Sequence, residues 1–171
     1  MGIKTIKRCL KKIIGSKTYT AHSEYIIQVT EQNKKFDGKV ALVTGGSGEL
    51  GRAICFKLAS EGAMVYVGSR SKVSTEKVAL EIKRLNAMAA PIIIDVTDEE
   101  SISSAFSIII EKEEKIDILV NCAGGGTRSK NANIFEQSVE MIDNMLNTNL
   151  RGSILCSRAA GKYMTKQRNG K

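Results

Sequence analysis

The sequence predicts an α/β protein built on a doubly wound parallel sheet with strand order 3-2-1-4, preceded by a short basic helical leader. Three observations carry this. Short runs that are apolar throughout alternate with amphipathic stretches of helical spacing, the pattern of parallel strands covered on both faces. The first run, Val40 to Val43, leads into Thr44-Gly45-Gly46-Ser47-Gly48-Glu49-Leu50-Gly51, a glycine-dense turn that opens a helix. Polar residues after the later runs fall at C-terminal strand ends, where such sheets bind ligands.

The 171 residues suit one domain with a core of useful size. The net charge of +8 is unevenly placed: residues 1–36 carry +6 and the remainder +2. A nearly neutral folded part argues against a nucleic-acid binder. Cys9, Cys55, Cys122 and Cys156 show neither CxxC nor Cys/His spacing. They read as reduced, mostly buried thiols of a cytoplasmic protein, with no metal site. No apolar run approaches transmembrane length. Lys11 and Lys12 interrupt any secretory signal.

In the leader, Ile3, Ile6, Leu10 and Ile13 recur at three- and four-residue spacing, with Lys4, Lys7, Arg8, Lys11 and Lys12 on the other face. That is a short basic amphipathic helix. It reads as a loosely docked helix, as a membrane-surface or partner-binding anchor over residues 1–14, or as a targeting presequence. The polar stretch that follows holds one β-like run, Tyr25 to Val29, and the only histidine, His22, in a linker. The boundary falls near Phe36, dividing residues 1–36 from a folded domain at 37–171.

After the glycine turn, Leu50, Ile54 and Leu58 share a helix face, and Gly62 ends the helix. Met64 to Val67 is the second strand. Val78, Ile82 and Leu85 mark the second helix, and Pro91 to Ile94 the third strand. Thr97-Asp-Glu-Glu100 reads as a capping box opening a third helix with Ile102, Ala105, Phe106 and Ile109 inward. Ile116 to Val120 is the fourth strand. Asn133 and Glu136 suit the start of a fourth helix, with Val139, Ile142 and Leu146 inward, and Gly152 to Lys166 forms a fifth. Arg168 to Lys171 has the look of a turn into a further strand. Without that strand the fourth would be an uncovered edge.

The glycine turn lets backbone N–H groups approach a phosphate, and the helix N-terminus adds partial positive charge. Its spacing is not GxGxxG. It is Thr-Gly-x-x-x-x-x-Gly, followed by Asp95-Val96, Asn121-x-Ala-Gly124 and Asn147-x-Asn149-x-x-Gly152. With these four motifs in this order, the sequence resembles the short-chain dehydrogenase/reductase family from about Phe36 onward. The resemblance implies an incomplete Rossmann-like domain that binds a nicotinamide dinucleotide. It implies hydride transfer between a small or lipid-like alcohol and its ketone in a homo-oligomeric, full-length enzyme.

The implied roles follow the motifs. Thr44, Gly45, Ser47, Glu49, Leu50 and Gly51 would belong to the pyrophosphate turn. Asp95 and Val96 would flank the adenine, Asp95 accepting from its amino group. Asn121, Ala123 and Gly124 would stabilise the sheet and line the cofactor floor. Asn149 would be the active-site Asn, its backbone kinking a helix and holding a water of the proton relay. Ser69 and Arg70 follow the second strand with no acid nearby, which suits a 2′-phosphate and hence NADP(H) over NAD(H). Glu49 stands where the family has Gly or Ala and should point to solvent. Cys122 replaces the usual second Asn. The family's catalytic Ser and Tyr-x-x-x-Lys would lie beyond the matched Asn, so the chain reads as a cofactor-binding fragment, one part of a split gene or a truncated copy, inactive alone. The alternative is a non-catalytic nucleotide-binding or regulatory remnant. Tyr163 and Lys166 are three apart rather than four and read as surface residues of the fifth helix.

Overall fold

The computed structural model describes residues 34–125, 133, 135 and 137–171. The expected leader helix, the Tyr25–Val29 run, His22 and Cys9 lie outside the described residues. Four strands, β1 (Val40–Thr44), β2 (Met64–Ser69), β3 (Ala89–Ile93) and β4 (Ile118–Asn121), form one parallel sheet of order β3-β2-β1-β4. This is the expected order. Helices α1 (Glu49–Ser60), α2 (Lys72–Lys83) and α3 (Glu99–Glu113) form the crossovers. Beyond β4, α4 (Val139–Leu146) runs through a π-helical turn at Asn147–Arg151 into α5 (Gly152–Gln167).

Successive side chains of a strand point to opposite faces, so β1 feeds two cores. Val40 and Leu42 join Tyr66, Ile92 and Ile94 under Ile102, Phe106 and Ile109 of α3 and Leu155 and Ala160 of α5. Ala41 and Val43 join Val65 and Val67 under Cys55 and Leu58 of α1 and Val78 and Ile82 of α2. Every residue of β1 is buried, as a central strand covered on both sides requires.

Four details differ from the sequence expectation. The buried stripe of α1 is Gly51, Cys55, Leu58 and Ala59, and Leu50 is 68% exposed. The helix is turned so that its glycine, the only residue small enough, meets the turn. Thr97 does not cap α3; Asp98 does, accepting from the N–H groups of Glu100 and Ser101. Thr97 instead donates its hydroxyl to Asp95 Oδ1 at 2.7 Å. Leu85 lies past the end of α2 and is exposed. Helix α4 begins at Val139 with Ser138 as its cap, and none of its residues is buried, so Val139 and Leu146 are exposed rather than inward.

Asp117, which precedes β4, was not singled out by sequence. Its carboxylate is 5% exposed and receives Val40 N–H at 2.9 Å, Lys39 Nζ at 3.1 Å and Asn169 Nδ2 at 3.2 Å, with Lys115 Nζ at 3.7 Å. One side chain thereby joins the starts of β1 and β4 to the turn after α5. The backbone of Lys171 pairs with the same strand, donating to Asp117 O and accepting from Leu119 N–H, each at 2.9 Å. Arg168 to Lys171 is thus a turn laid beside β4.

Burial alone would raise the Asp117 pKa, but the Val40 N–H and the two lysines outweigh it and hold it below the usual carboxylate range. A lowered folded-state pKa means the unfolded chain binds the proton more readily. The contribution is therefore present above about pH 4 and is lost as pH falls through the folded-state value. Asp117→Ala should cost about 2–3 kcal/mol in denaturant unfolding at pH 7, and Asp117→Asn should flatten the acid limb of the stability-against-pH curve. Gly51→Ala tests the turn, because a Cβ there would lie 2.2 Å from Gly45 O. Thermal unfolding should show a loss of at least ~2 kcal/mol.

Candidate functional site

The C-terminal ends of the strands enclose a cleft of about 470 Å³. Its walls come from the glycine turn, Ser69 and Arg70, Ile94 to Thr97, Cys122 to Gly124, and Thr148. Of the expected residues, Gly45, Ser47, Glu49, Leu50, Gly51, Ser69, Arg70, Asp95, Val96, Ala123 and Gly124 all line it.

The turn is shaped by contacts that only glycine permits. Gly45 has φ +67°, and a Cβ on it would meet Ala123 Cα and Cys122 O at 2.7 Å. Gly46 N–H donates to Gly68 O at 2.9 Å, tying the turn to β2. Helices α2, α3 and α4 have side-chain caps in Ser71, Asp98 and Ser138, whereas α1 begins at Gly48 with none. The first-turn amides of α1 have no intrahelical acceptor, and Glu49, Leu50 and Gly51 that carry them line the cleft, a ready anion site. Glu49 is exposed, as expected, yet it stands on the rim of the cleft. The helix dipole favours a carboxylate at this first-turn position.

Two expected residues act behind the cleft. Thr44 is buried, and its Oγ1 accepts from the N–H groups of Cys122 (3.2 Å) and Ala123 (3.1 Å) while donating to Val120 O (3.3 Å). Its hydroxyl is spent on fixing the end of β4 against β1. Asn121 donates to Ser157 Oγ at 3.0 Å, tying β4 to α5. It stabilises the sheet but does not line the cleft.

On the other wall, Asp95 Oδ1 accepts from the N–H (2.9 Å) and hydroxyl (2.7 Å) of Thr97, and Asp95 N–H donates to Ser101 Oγ at 2.9 Å. Among the described residues its other oxygen has no hydrogen-bond partner. The Thr97 donors, then the Arg70 guanidinium, hold the Asp95 carboxyl below the usual range, so it stays an acceptor. Val96 packs on Gly152, where a Cβ would come within 2.8 Å of Val96 Cγ2. Arg70 is exposed at the cleft mouth and forms no ion pair with another described residue.

Asn149 sits in the π-helical turn. Its side chain clasps the backbone of Gly125, accepting from the N–H at 3.0 Å and donating to the carbonyl at 3.1 Å. A Cβ on Gly124 would lie 2.6 Å from Asn149 Oδ1, so a larger residue there would displace the clasp. The Asn149 carbonyl accepts from Ser153 Oγ at 2.8 Å. Tyr163 and Lys166 lie away from the cleft. Lys166 is exposed, but Tyr163 is half-buried, its ring stacked on Phe106 at 6.3 Å. It belongs to the packing of α5 on α3, which corrects the expectation of a surface residue.

Sequence reasoning passed over Thr97, Cys122 and Thr148 as cleft residues. Thr148 and Cys122 stand at unspecified positions inside the motifs, and the spacing at Thr97 predicts a helix cap. Cys55, Cys122 and Cys156 are free thiols. Burial pushes Cys55 up to about 12 and Cys156 to about 11, so neither is a nucleophile. Among the described residues no cluster of His, Cys, Asp or Glu could hold a metal, and no helix is long and apolar enough to cross a membrane.

Comparison with known proteins agrees with this geometry. The model of the short chain dehydrogenase family matches residues 39–171. The chain is 33% identical over 136 residues to the 3-oxoacyl-(acyl-carrier-protein) reductase FabG of Thermotoga maritima, covering 80% of this chain and 54% of that protein. It is 33% identical over 137 residues to the 7alpha-hydroxysteroid dehydrogenase of Clostridium sardiniense, covering 80% of this chain and 52% of that protein. The crystal structure of gox2181 superposes with a TM-score of 0.75 at 28% identity, covering 80% of this chain and 53% of that one. The chain thus spans about half the length of these relatives. With the sheet order, the glycine turn and the family match all in agreement, the chain belongs to the short-chain dehydrogenase family of oxidoreductases.

Proposed function

We propose that residues 37–171 form the dinucleotide-binding half of an NADP(H)-dependent enzyme that interconverts an alcohol and a ketone. The observation that carries this reading is the cleft itself. An uncapped helix N-terminus and a turn with no room for a Cβ stand opposite a wall built on Asp95 and Val96. The diphosphate suits the amides of Ser47 to Gly51. The adenine suits the wall at Val96, with Asp95 accepting from its amino group. Ala123 and Gly124 form the floor, and Asn149 fixes the strap beside them. The bound nicotinamide would supply or accept the hydride. This chain's residues bind, orient and exclude water; Thr44 and Asn121 act by holding β4 in place.

The choice of NADP(H) rests on Arg70. An NAD site commonly has a carboxylate after β2 to bind the ribose 2′-hydroxyl, whereas here a guanidinium without an ion-pair partner among the described residues opens on the cleft, with Ser69 beside it. A guanidinium suits a phosphate in geometry and charge.

Calorimetric titration tests this directly. NADP⁺ should bind more tightly than NAD⁺, and equal or tighter NAD⁺ binding overturns the choice. Arg70→Gln should weaken NADP⁺ binding ~10- to 100-fold while leaving NAD⁺ nearly unchanged. Glu49→Gln should tighten both cofactors about two- to five-fold, since it removes a like charge from beside the diphosphate, and the gain should shrink at high salt.

A further inference from the structure

We infer that Arg151 is a positioning residue that sets the adenine-side wall of the cleft by holding the Asp95–Thr97 loop against the π-helical turn. The inference rests on the cleft being the dinucleotide site. Arg151 Nη1 donates to Thr97 O at 3.1 Å and to Asn147 Oδ1 at 3.4 Å, and Nη2 donates to Glu99 Oε1 at 3.2 Å. One planar group thus bridges a loop carbonyl, the turn's own first residue and the first residue of α3. The loop it grips is tied in turn to the wall: Thr97 orients the Asp95 carboxylate through two hydrogen bonds, and Val96 lies on Gly152, the residue after Arg151.

The opposite end of the arrangement starts from the same turn. Asn149, two residues before Arg151, clasps Gly125 beside the cleft floor. Residues 147–152 therefore hold both the adenine-side loop and the chain beside the cleft floor. Asn149 holds the strap after β4, while Arg151 and Gly152 hold the loop after β3. Thr148, the residue before Asn149, lines the cleft. Asn149 and Arg151, two residues apart in the π-helical turn, point to different sides of it and reach different loops, and such turns recur at functional sites.

The arginine is needed for its fork. Arg151 is half-exposed, so its ion pair with Glu99 adds little to stability. Glu99 is in any case also paired with Arg158. What Arg158 lacks is the contact with Thr97 O. A lysine at position 151 would keep the charge but could not present two separate donor arms to a carbonyl and a carboxylate.

The test uses the full chain, with NADP⁺ affinity by calorimetry, hydrogen exchange of the 93–99 segment in the ligand-free protein, and the unfolding midpoint. Arg151→Lys should keep a near-normal midpoint, raise exchange across 95–98 and weaken NADP⁺ binding about five- to twenty-fold. Arg158→Gln, which loses only the Glu99 pair, should change neither affinity nor exchange by more than about two-fold. Arg151→Gln should match Arg151→Lys, showing that the fork rather than the charge is at issue. The inference is overturned if Arg151→Lys binds like the parent, or if Arg158→Gln loses as much as Arg151→Lys. A parent protein that binds neither NADP⁺ nor NAD⁺ overturns the functional reading instead; unchanged exchange in Arg151→Lys then also removes the loop tie.

Discussion

The close approach of Gly51 to Gly45 is the contact on which the site depends. A Cβ on Gly51 would overlap Gly45 O at 2.2 Å, so α1 can begin directly above the end of β1 only because Gly51 lacks a side chain. That approach aims the uncapped amides of α1 at the cleft. It also forces the orientation of the helix: with Gly51 inward, Cys55, Leu58 and Ala59 follow on the buried face and Leu50 is left outside. The same crowding recurs on the neighbouring strand, where Gly45 leaves no space between itself and Cys122–Ala123. Turn, helix and floor are consequently one packed unit.

Around this unit the protein uses its polar side chains mostly on itself. Thr44 spends its hydroxyl on β4, Asn121 on Ser157, Thr97 on Asp95, and Asn149 on Gly125. These bonds fix β4 against β1 and α5, the Asp95–Thr97 loop on itself, and Gly125 against the π-helical turn. What is left lining the cleft is glycine, apolar wall, a few small polar side chains such as Ser47 and Thr148, and charges at the rim. Such a surface is pre-organised, since few side chains must be ordered when a ligand arrives. At the opposite end of the sheet Asp117 does equivalent work, joining β1, β4 and the final turn through one buried carboxylate.

Much of this was legible in the sequence because its causes are local. The apolar runs at 40–43 and 64–67 needed only their pattern to be read as parallel strands, and right-handed crossovers then dictated the order. The glycine turn was legible because few residues tolerate a positive φ or such close backbone approach. Most of the expected cleft residues do line one cleft. The misreadings have a common cause. Thr97 and Asp98 can both cap a helix, Asp being the stronger by residue type, and Asp98 caps α3 while the Thr97 hydroxyl goes to Asp95. Leu50, Val139 and Leu146 carry the right spacing for buried faces, but spacing does not say which stripe meets the sheet. Tyr163 was placed at the surface because its stacking partner, Phe106, lies 57 positions earlier in the chain.

By itself the sequence determined the sheet, its order, the place of the turn and the family to which these belong. Periodicity, glycine conformational freedom and motif order are properties of neighbouring residues, and no distant partner is needed to read them. The tertiary structure decided which hydroxyls and amides are consumed within the protein and which face the cleft. It also decided that Asp117 is buried among two lysines and that Arg151 reaches back to Thr97. Several of those outcomes depend on groups far apart in the chain, such as Thr44 and Ala123, 79 residues apart, or Arg151 and Thr97, 54 apart, whose meeting follows from the packing of two helical layers on one sheet.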